Sequence, residues 1–227
     1  EWGYLMSLAN PQIILIDDAE SKIAEFSPDG KRVITGSMSH DHAINIWNAE
    51  TGDKLVSLDL DSLTKKMIDL KFLSSIDRRD AIKQTSDGSK IIAYISYIIG
   101  VWDQETGKLI LHLDPEMKEI DKQWKEVHSI DLSPDNNQIC ALYMDGISRI
   151  WNLNTGKVDL LLEVAADEFE TEFDKFQAAA FGTQVNHVLY SPDGKSILRA
   201  YQENPTSIWD ANTGKKLVDL DSSKNLR

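Results

Sequence analysis

Short apolar-rich runs recur along the chain, each cut off by polar residues. "KRVITGS" (31–37), "SKIIAYI" (89–95), "NQICALY" (137–143) and "KSILRAY" (195–201) form one set. A second set, "AINIW", "GISRIW" and "TSIW", alternates apolar with polar positions and ends on tryptophan. A third, "KLVSL", "KLILHL", "KVDLLL" and "KKLVDL", follows a glycine each time. Runs of this length and patterning, bounded by turn residues, predict β-strands.

The punctuation is as regular as the strands. "SPDG" stands at 27–30 and 191–194, "TSDG" at 85–88 and "SPDN" at 133–136. In Ser-Pro-Asp-Gly the proline presets φ at the first turn position, the aspartate bonds back to the backbone, and the glycine takes the positive φ. A second phrase reads "IWNAETG" (46–52), "VWDQETG" (101–107), "IWNLNTG" (150–156) and "IWDANTG" (208–214). Asn/Asp-x-x-Thr-Gly suits a longer hairpin loop with glycine in the left-handed position of a bulge. Its residues Trp47, Trp102, Trp151 and Trp209 are each followed five positions on by Gly52, Gly107, Gly156 and Gly214. A phrase copied four times is a construction element rather than a catalytic centre.

Each unit therefore reads as strand, SPDG turn, strand, variable loop, strand ending in Trp, TG turn, strand. That is a four-stranded antiparallel meander. One such sheet cannot bury both of its faces, whereas copies stacked around an axis can, and the arrangement is a β-propeller. The fold class expected is all-β, a propeller of four-stranded antiparallel blades forming a partial ring, with short helical inserts between blades. The units fall at 18–58, 59–113 with an insert, 114–162 with a short helical insert and 163–221 with a helical insert. Residues 1–17 read as the remnant outer strand of a preceding blade, because "IILID" (13–17) and Trp2 repeat the end of a unit. Residues 222–227 are a tail.

On these phrases the chain resembles the WD40-repeat family from about Gln12 to Asp221. The resemblance implies a bracing aspartate six residues before the Trp, a place taken by Asp41 and Asp145. Ser96 and Glu203 stand there in the other two units, and the family's Gly-His pair is absent from all four. It also implies that the face with variable loops is the docking face. An open arc of four blades would expose apolar faces and invite association, so pairing with another propeller segment into an eight-bladed ring is a further expectation.

Two inserts carry helical periodicity. In "DPEMKEIDKQWKEV" (114–127), Asp114 and Pro115 suit a helix start, and Met117, Ile120 and Trp124 share a face. In "ADEFETEFDKFQAAAFG" (166–182), Asp167 and Glu170 suit a capping box, Phe169, Phe173 and Phe176 share a face, and Gly182 ends the run. Both stripes are expected to pack on the propeller. The insert at 59–80 fits helix and strand alike, while "DAIKQTSDG" aligns with a first strand.

Composition narrows the partners. With 24 Lys and Arg against 37 Asp and Glu in 227 residues, the net charge of −13 disfavours nucleic acid and anionic membrane. It suits a partner containing Lys and Arg. No apolar run is long enough to cross a bilayer. Cys140 is the single cysteine, which excludes an internal disulfide, reads as a buried small hydrophobe and fits a reducing, cytoplasmic setting.

Reactive constellations are not apparent. His40-Asp41-His42 would send two imidazoles to one side of a hairpin loop, but a metal needs further ligands. His128 and His187 fall in first strands with core or channel packing expected, and His112 in an outer strand. No nucleophile–His–acid order, phosphate-binding glycine loop or Cys/His metal spacing occurs, so no cofactor, metal site or enzyme activity is expected. The function expected is a non-catalytic scaffold that binds a protein or peptide. Contacts are placed at the strand-two to strand-three loops: His40, His42, Tyr97, Tyr143, Asp145, Glu203 and Asn204. The alternatives are a sensor or regulatory segment of a larger signalling enzyme, such as a kinase or nucleotide-dependent protein, and a propeller hydrolase or metal enzyme.

Overall fold

The computed structural model describes residues 16, 21–37, 43–64, 82–95, 97–114, 126–143, 147–162, 185–201 and 206–220. They form four antiparallel sheets, each of four strands consecutive in sequence. The first contains β1 (Ser21–Phe26), β2 (Arg32–Ser37), β3 (Ile44–Asn48) and β4 (Lys54–Ser57), followed by one helical turn, α1 (Asp61–Thr64). The second contains β5 (Ile82–Gln84), β6 (Lys90–Ile95), β7 (Ile98–Asp103) and β8 (Leu109–Leu113). The third contains β9 (Val127–Leu132), β10 (Gln138–Tyr143), β11 (Ser148–Asn152) and β12 (Val158–Leu162). The fourth contains β13 (Val185–Tyr190), β14 (Ser196–Tyr201), β15 (Thr206–Asp210) and β16 (Lys216–Leu220). These are the all-β meanders the repeat predicts.

Register repeats from sheet to sheet. Each Trp lies opposite a residue near the start of the second strand: Val33 with Trp47, Ile91 with Trp102, Ile139 with Trp151 and Ile197 with Trp209. Because side chains alternate between faces, this fixes one Trp-bearing face per sheet and one apolar face opposite. Each outer strand carries an irregularity just beside the Trp, after Ile46, Val101, Ile150 and Ile208. It follows directly on the TG turn, as a bulged hairpin requires.

The sheets stack in sequence order. One apolar cluster runs through the first three, including Ile34, Ile46, Ile92, Val101, Ile139 and Trp151. A second lies between the third and fourth, with Cys140, Ile150, Leu162, Val188, Ile197 and Trp209. Hydrogen bonds also join one sheet to the next. Trp102 Nε1 donates to the carbonyl of Asp59 (3.0 Å), and Arg199 donates to the carbonyl of Leu162 (2.9 Å). The second, third and fourth sheets thus meet the outer strand of the sheet before them, or the residues just after it, through Trp102, Gly156 and Arg199 with Gly214.

The outer strand expected at 13–17 and the helices expected within 114–127 and 166–182 lie outside the described residues, apart from Ile16, Asp114, Glu126 and Val127. In the insert left open at 59–80, α1 supplies a helical turn, and 65–80 lies outside them. The first strand expected within "DAIKQTSDG" is β5.

Candidate functional site

Two rims flank the stacked sheets, and their connections differ. On one rim the first-to-second strand turns are 27–31, 85–89, 133–137 and 191–195, and the third-to-fourth turns are 49–53, 104–108, 153–157 and 211–215. All eight are five residues long. On the other rim the second-to-third connections are 38–43, 96–97, 144–147 and 202–205, of six, two, four and four residues. The links between sheets are 58–81, 114–126 and 163–184, of 24, 13 and 22 residues.

The constant turns are held by their own side chains. Ser27 Oγ donates to Asp29 (2.6 Å), Asp29 accepts the Lys31 N–H (3.0 Å), and Gly30 N–H donates to the Ser27 carbonyl (2.8 Å). Ser133 with Asp135 and Ser191 with Asp193 repeat this at 2.6 Å each. In the second sheet the Ser89 N–H and Oγ both donate to Asp87. Hydroxyl and amide donors stabilise the charged form, so the carboxyls of Asp29, Asp135 and Asp193 titrate below their ordinary range. The Thr85 hydroxyl, then the Ser89 amide and hydroxyl, bring Asp87 down to about 2. In the TG turns, Asp103 accepts the Thr106 N–H and Oγ1, both at 2.7 Å, and Asp210 accepts Thr213 likewise. These carboxylates are committed to the turns.

The TG glycine also makes the junction. Gly107 has φ +69, and a Cβ there would stand 2.5 Å from the carbonyl oxygen of Ser57 in the preceding sheet. Gly156 approaches Leu111, and Gly214 approaches the Leu161 carbonyl, in the same way. No other residue combines that backbone conformation with that clearance.

Near the SPDG turns the first strands are linked by polar contacts. Gln84 Nε2 donates to the Phe26 carbonyl (3.1 Å). Lys83 Nζ lies 3.1 Å from Asp131 Oδ1, and Asp131 Oδ2 accepts the Tyr190 N–H (2.7 Å). Glu25 occupies the same register position two sheets earlier, opposite Ile34 as Asp131 is opposite Cys140. Burial raises the pKa of Glu25, and the Lys83 ammonium offsets part of that rise. Between the second and third sheets, Asn136 bridges the turns: its Oδ1 accepts the Ser86 N–H (3.0 Å) and its Nδ2 donates to Ser86 Oγ (2.7 Å). Between the first and second, Pro28 offers neither group and Gly88 faces open space. A polar cleft of about 310 Å³ remains there, lined by Pro28, Asp29, Arg32, Ser86, Asp87 and Gln104.

Trp47, Trp102, Trp151 and Trp209 are buried, and Gly52, Gly107, Gly156 and Gly214 all have positive φ. Trp47 Nε1 donates to Thr35 Oγ1 (2.8 Å) and Trp209 Nε1 to Ser207 Oγ (2.7 Å). Of the residues expected to meet a partner, His40, His42, Asp145, Glu203 and Asn204 lie outside the described residues, as does Asp41. Tyr97 and Tyr143 are described, and they are only 6% and 1% exposed. They sit at the ends of a two-residue turn and of β10, where their rings turn inward, and the Arg149 guanidinium lies 4.5 Å from the Tyr143 ring. Surface contact through these two tyrosines does not match that placement. His187 is exposed on β13 rather than in the core.

Cys140 is buried, and desolvation pushes its thiol up to about 12, which leaves it protonated and unreactive near neutrality. Among the described residues, no group of three or more His, Cys, Asp and Glu side chains could hold a metal ion. Sequence reasoning missed the Lys83–Asp131–Tyr190 relay and the Asn136 bridge. Only the replacement of Gly by Asn within the fourfold phrase hinted at the second.

The model of the WD domain, G-beta repeat, family matches residues 21–48, which cover β1, β2 and β3. The chain is also similar to the Periodic tryptophan protein 2 homolog of Schizosaccharomyces pombe, at 27% identity over 104 residues. That match covers 44% of this chain and 12% of the yeast protein. One WD40 repeat is thus matched directly, at the first three strands of the first sheet, and the other three sheets share that sheet's four-stranded construction.

Proposed function

We propose that this chain is a non-catalytic recognition platform that binds a basic protein or peptide through the rim bearing its unequal connections. The observation that carries the reading is the contrast in connection length. Eight turns of five residues stand on one rim, against connections of two to 24 residues on the other. Loops on a rigid scaffold are where binding groups vary without cost to the core. The turn-rim aspartates are occupied by their own hydroxyl and amide donors, which leaves the longer connections to meet a ligand. The net charge of −13 favours fast encounter with Lys- and Arg-rich partners at low salt. A reducing, cytoplasmic setting agrees with a single buried thiol.

Photocrosslinking tests the reading. Benzoylphenylalanine placed at His40 or Asn204 should capture a protein adduct from the native host extract, while the same group at Asp193 or Thr213 should not. Adducts formed only from Asp193 or Thr213 would move the binding surface to the turn rim and defeat the proposal.

A further inference from the structure

We propose that the polar cleft at the turn rim, between the first and second sheets, binds a small zwitterion: a free α-amino acid whose carboxylate meets Arg32 and whose ammonium meets Asp29 and Gln104. The site stands apart from the rim of unequal connections and does not rest on protein binding there. The three junctions between sheets treat one turn position differently. Between the second and third sheets, Asn136 fills the gap by bonding to Ser86. Between the third and fourth, a Cβ added to Gly194 would lie 3.5 Å from the Pro134 ring, in ordinary contact. Between the first and second, a Cβ added to Gly88 would meet nothing within 4 Å. The cleft of about 310 Å³ opens at that junction. Small-molecule sites begin at about 300 Å³.

Gln104 is the side chain that calls for a ligand. Its backbone obeys the repeat: the N–H donates to the Ser89 carbonyl (2.9 Å), as those of Ala49, Leu153 and Ala211 donate to Lys31, Asn137 and Lys195. Those three side chains are apolar. Gln104 lines the cleft and is only 2% exposed, yet its Oε1 has no hydrogen-bond partner. Buried amides are ordinarily paired, and this one stands where apolar residues serve the other sheets. The charges beside it are not spent on one another. Asp29 takes the Ser27 hydroxyl (2.6 Å) and the Lys31 N–H (3.0 Å) on Oδ1, which leaves Oδ2 to accept. The Ser27 hydroxyl does most to hold the Asp29 carboxyl below its ordinary range and Arg32 does least, so the guanidinium shares the cleft without closing an ion pair on that carboxylate. Asp87, brought down to about 2 by Thr85 and Ser89, is also charged at neutral pH. Two carboxylates and one guanidinium held apart match a ligand that carries both signs. A simple cation would face Arg32, and a simple anion would face Asp29 and Asp87. A guanidinium takes a carboxylate in paired, charge-assisted bonds.

Calorimetric titration of the whole chain with each common α-amino acid in turn, at millimolar concentration, decides the matter. At least one should bind saturably, one molecule per chain. Its decarboxylated amine and its N-acetyl form each lack one charge, and each should bind about tenfold more weakly or worse. Two variants localise the site. Gln104→Leu supplies the residue that Leu153 provides in the third sheet. Gly88→Asn fills the cleft with a residue that accepts φ +67, as Asn136 accepts φ 60. Each should weaken binding about tenfold or more. Q104L should keep or raise the thermal midpoint, because it removes an unpaired buried amide. The wild-type titrations with the three ligand forms stand without any variant, should one fail to fold. No saturable binding by any amino acid, equal binding of the amine or the N-acetyl form, or binding unchanged in both folded variants would each overturn the proposal.

Discussion

The two rims are made from the same repeats yet obey different constraints. On the turn rim, length is constant where a loop at a junction between sheets does two jobs. It closes a hairpin with its own side-chain bonds, and it packs against the neighbouring sheet, as Gly107 does on Ser57 and Asn136 does on Ser86. An added residue would disturb both. On the other rim, the connection between β2 and β3 is six residues and that between β6 and β7 is two, with the strands on either side in the same register to the Trp. Length there is free of the sheet geometry. A repeat protein thus separates a rim that specifies assembly from one open to variation.

The strongest way to break that contrast is at Gly107. Valine there must adopt φ +69 and place Cβ 2.5 Å from a backbone oxygen. The expected loss is about 3 kcal/mol or more, from backbone strain and overpacking together. Urea unfolding at constant slope would measure it, and a loss under 1 kcal/mol would show that the junction yields. Asp131→Ala comes next. It strands the Tyr190 N–H and leaves Lys83 without its carboxylate, at a cost of about 1–3 kcal/mol.

Acid sharpens the comparison further. The turn aspartates titrate below their ordinary range when folded, so their contribution is present above the unfolded pKa and is lost as pH falls through the folded one. For Asp87 that window runs from the ordinary carboxyl value of 3.8 down to about 2. The thermal midpoint should therefore drop between roughly pH 4 and pH 2. Replacing Asp87 and Asp193 with Asn should lower the midpoint at neutral pH and flatten this acid limb. An unchanged limb would mean that the turn bonds persist in the unfolded chain. The smallest expected effect belongs to the other rim: His40→Ala or Glu203→Ala should change stability by no more than about 0.5 kcal/mol. Each should weaken capture of a bound partner.

Much of the architecture was legible because turn chemistry is local. Ser-Pro-Asp-Gly contains the donors and acceptors that close its own loop, and Trp followed five residues later by Gly marks a strand end and its hairpin. The contacts joining one sheet to the next were not legible, since they pair residues far apart in sequence. Gln84 with Phe26 and Val188 with Ser129 are separated by 58 and 59 positions. For the candidate site, sequence position identified the loops but not side-chain direction. Tyr97 and Tyr143 flank short connections, and a tyrosine there can turn out to solvent or in toward the core. Tyr143 joins the cluster of Ile139 and Ala141, while Cys140 and Leu142 join the next one, so both faces of β10 are covered, a result that needed the stacking of the sheets.

The division between rims is tested most directly by inserting Gly-Ser singly into each connection and measuring the urea midpoint. Insertions in 38–43 and 202–205 should cost under about 0.5 kcal/mol, the slow growth of loop-closure entropy. Insertions in 85–89, 133–137 and 104–108 should cost about 2 kcal/mol or more, as turn bonds and junction contacts are lost together. Equal losses at both rims would contradict the account.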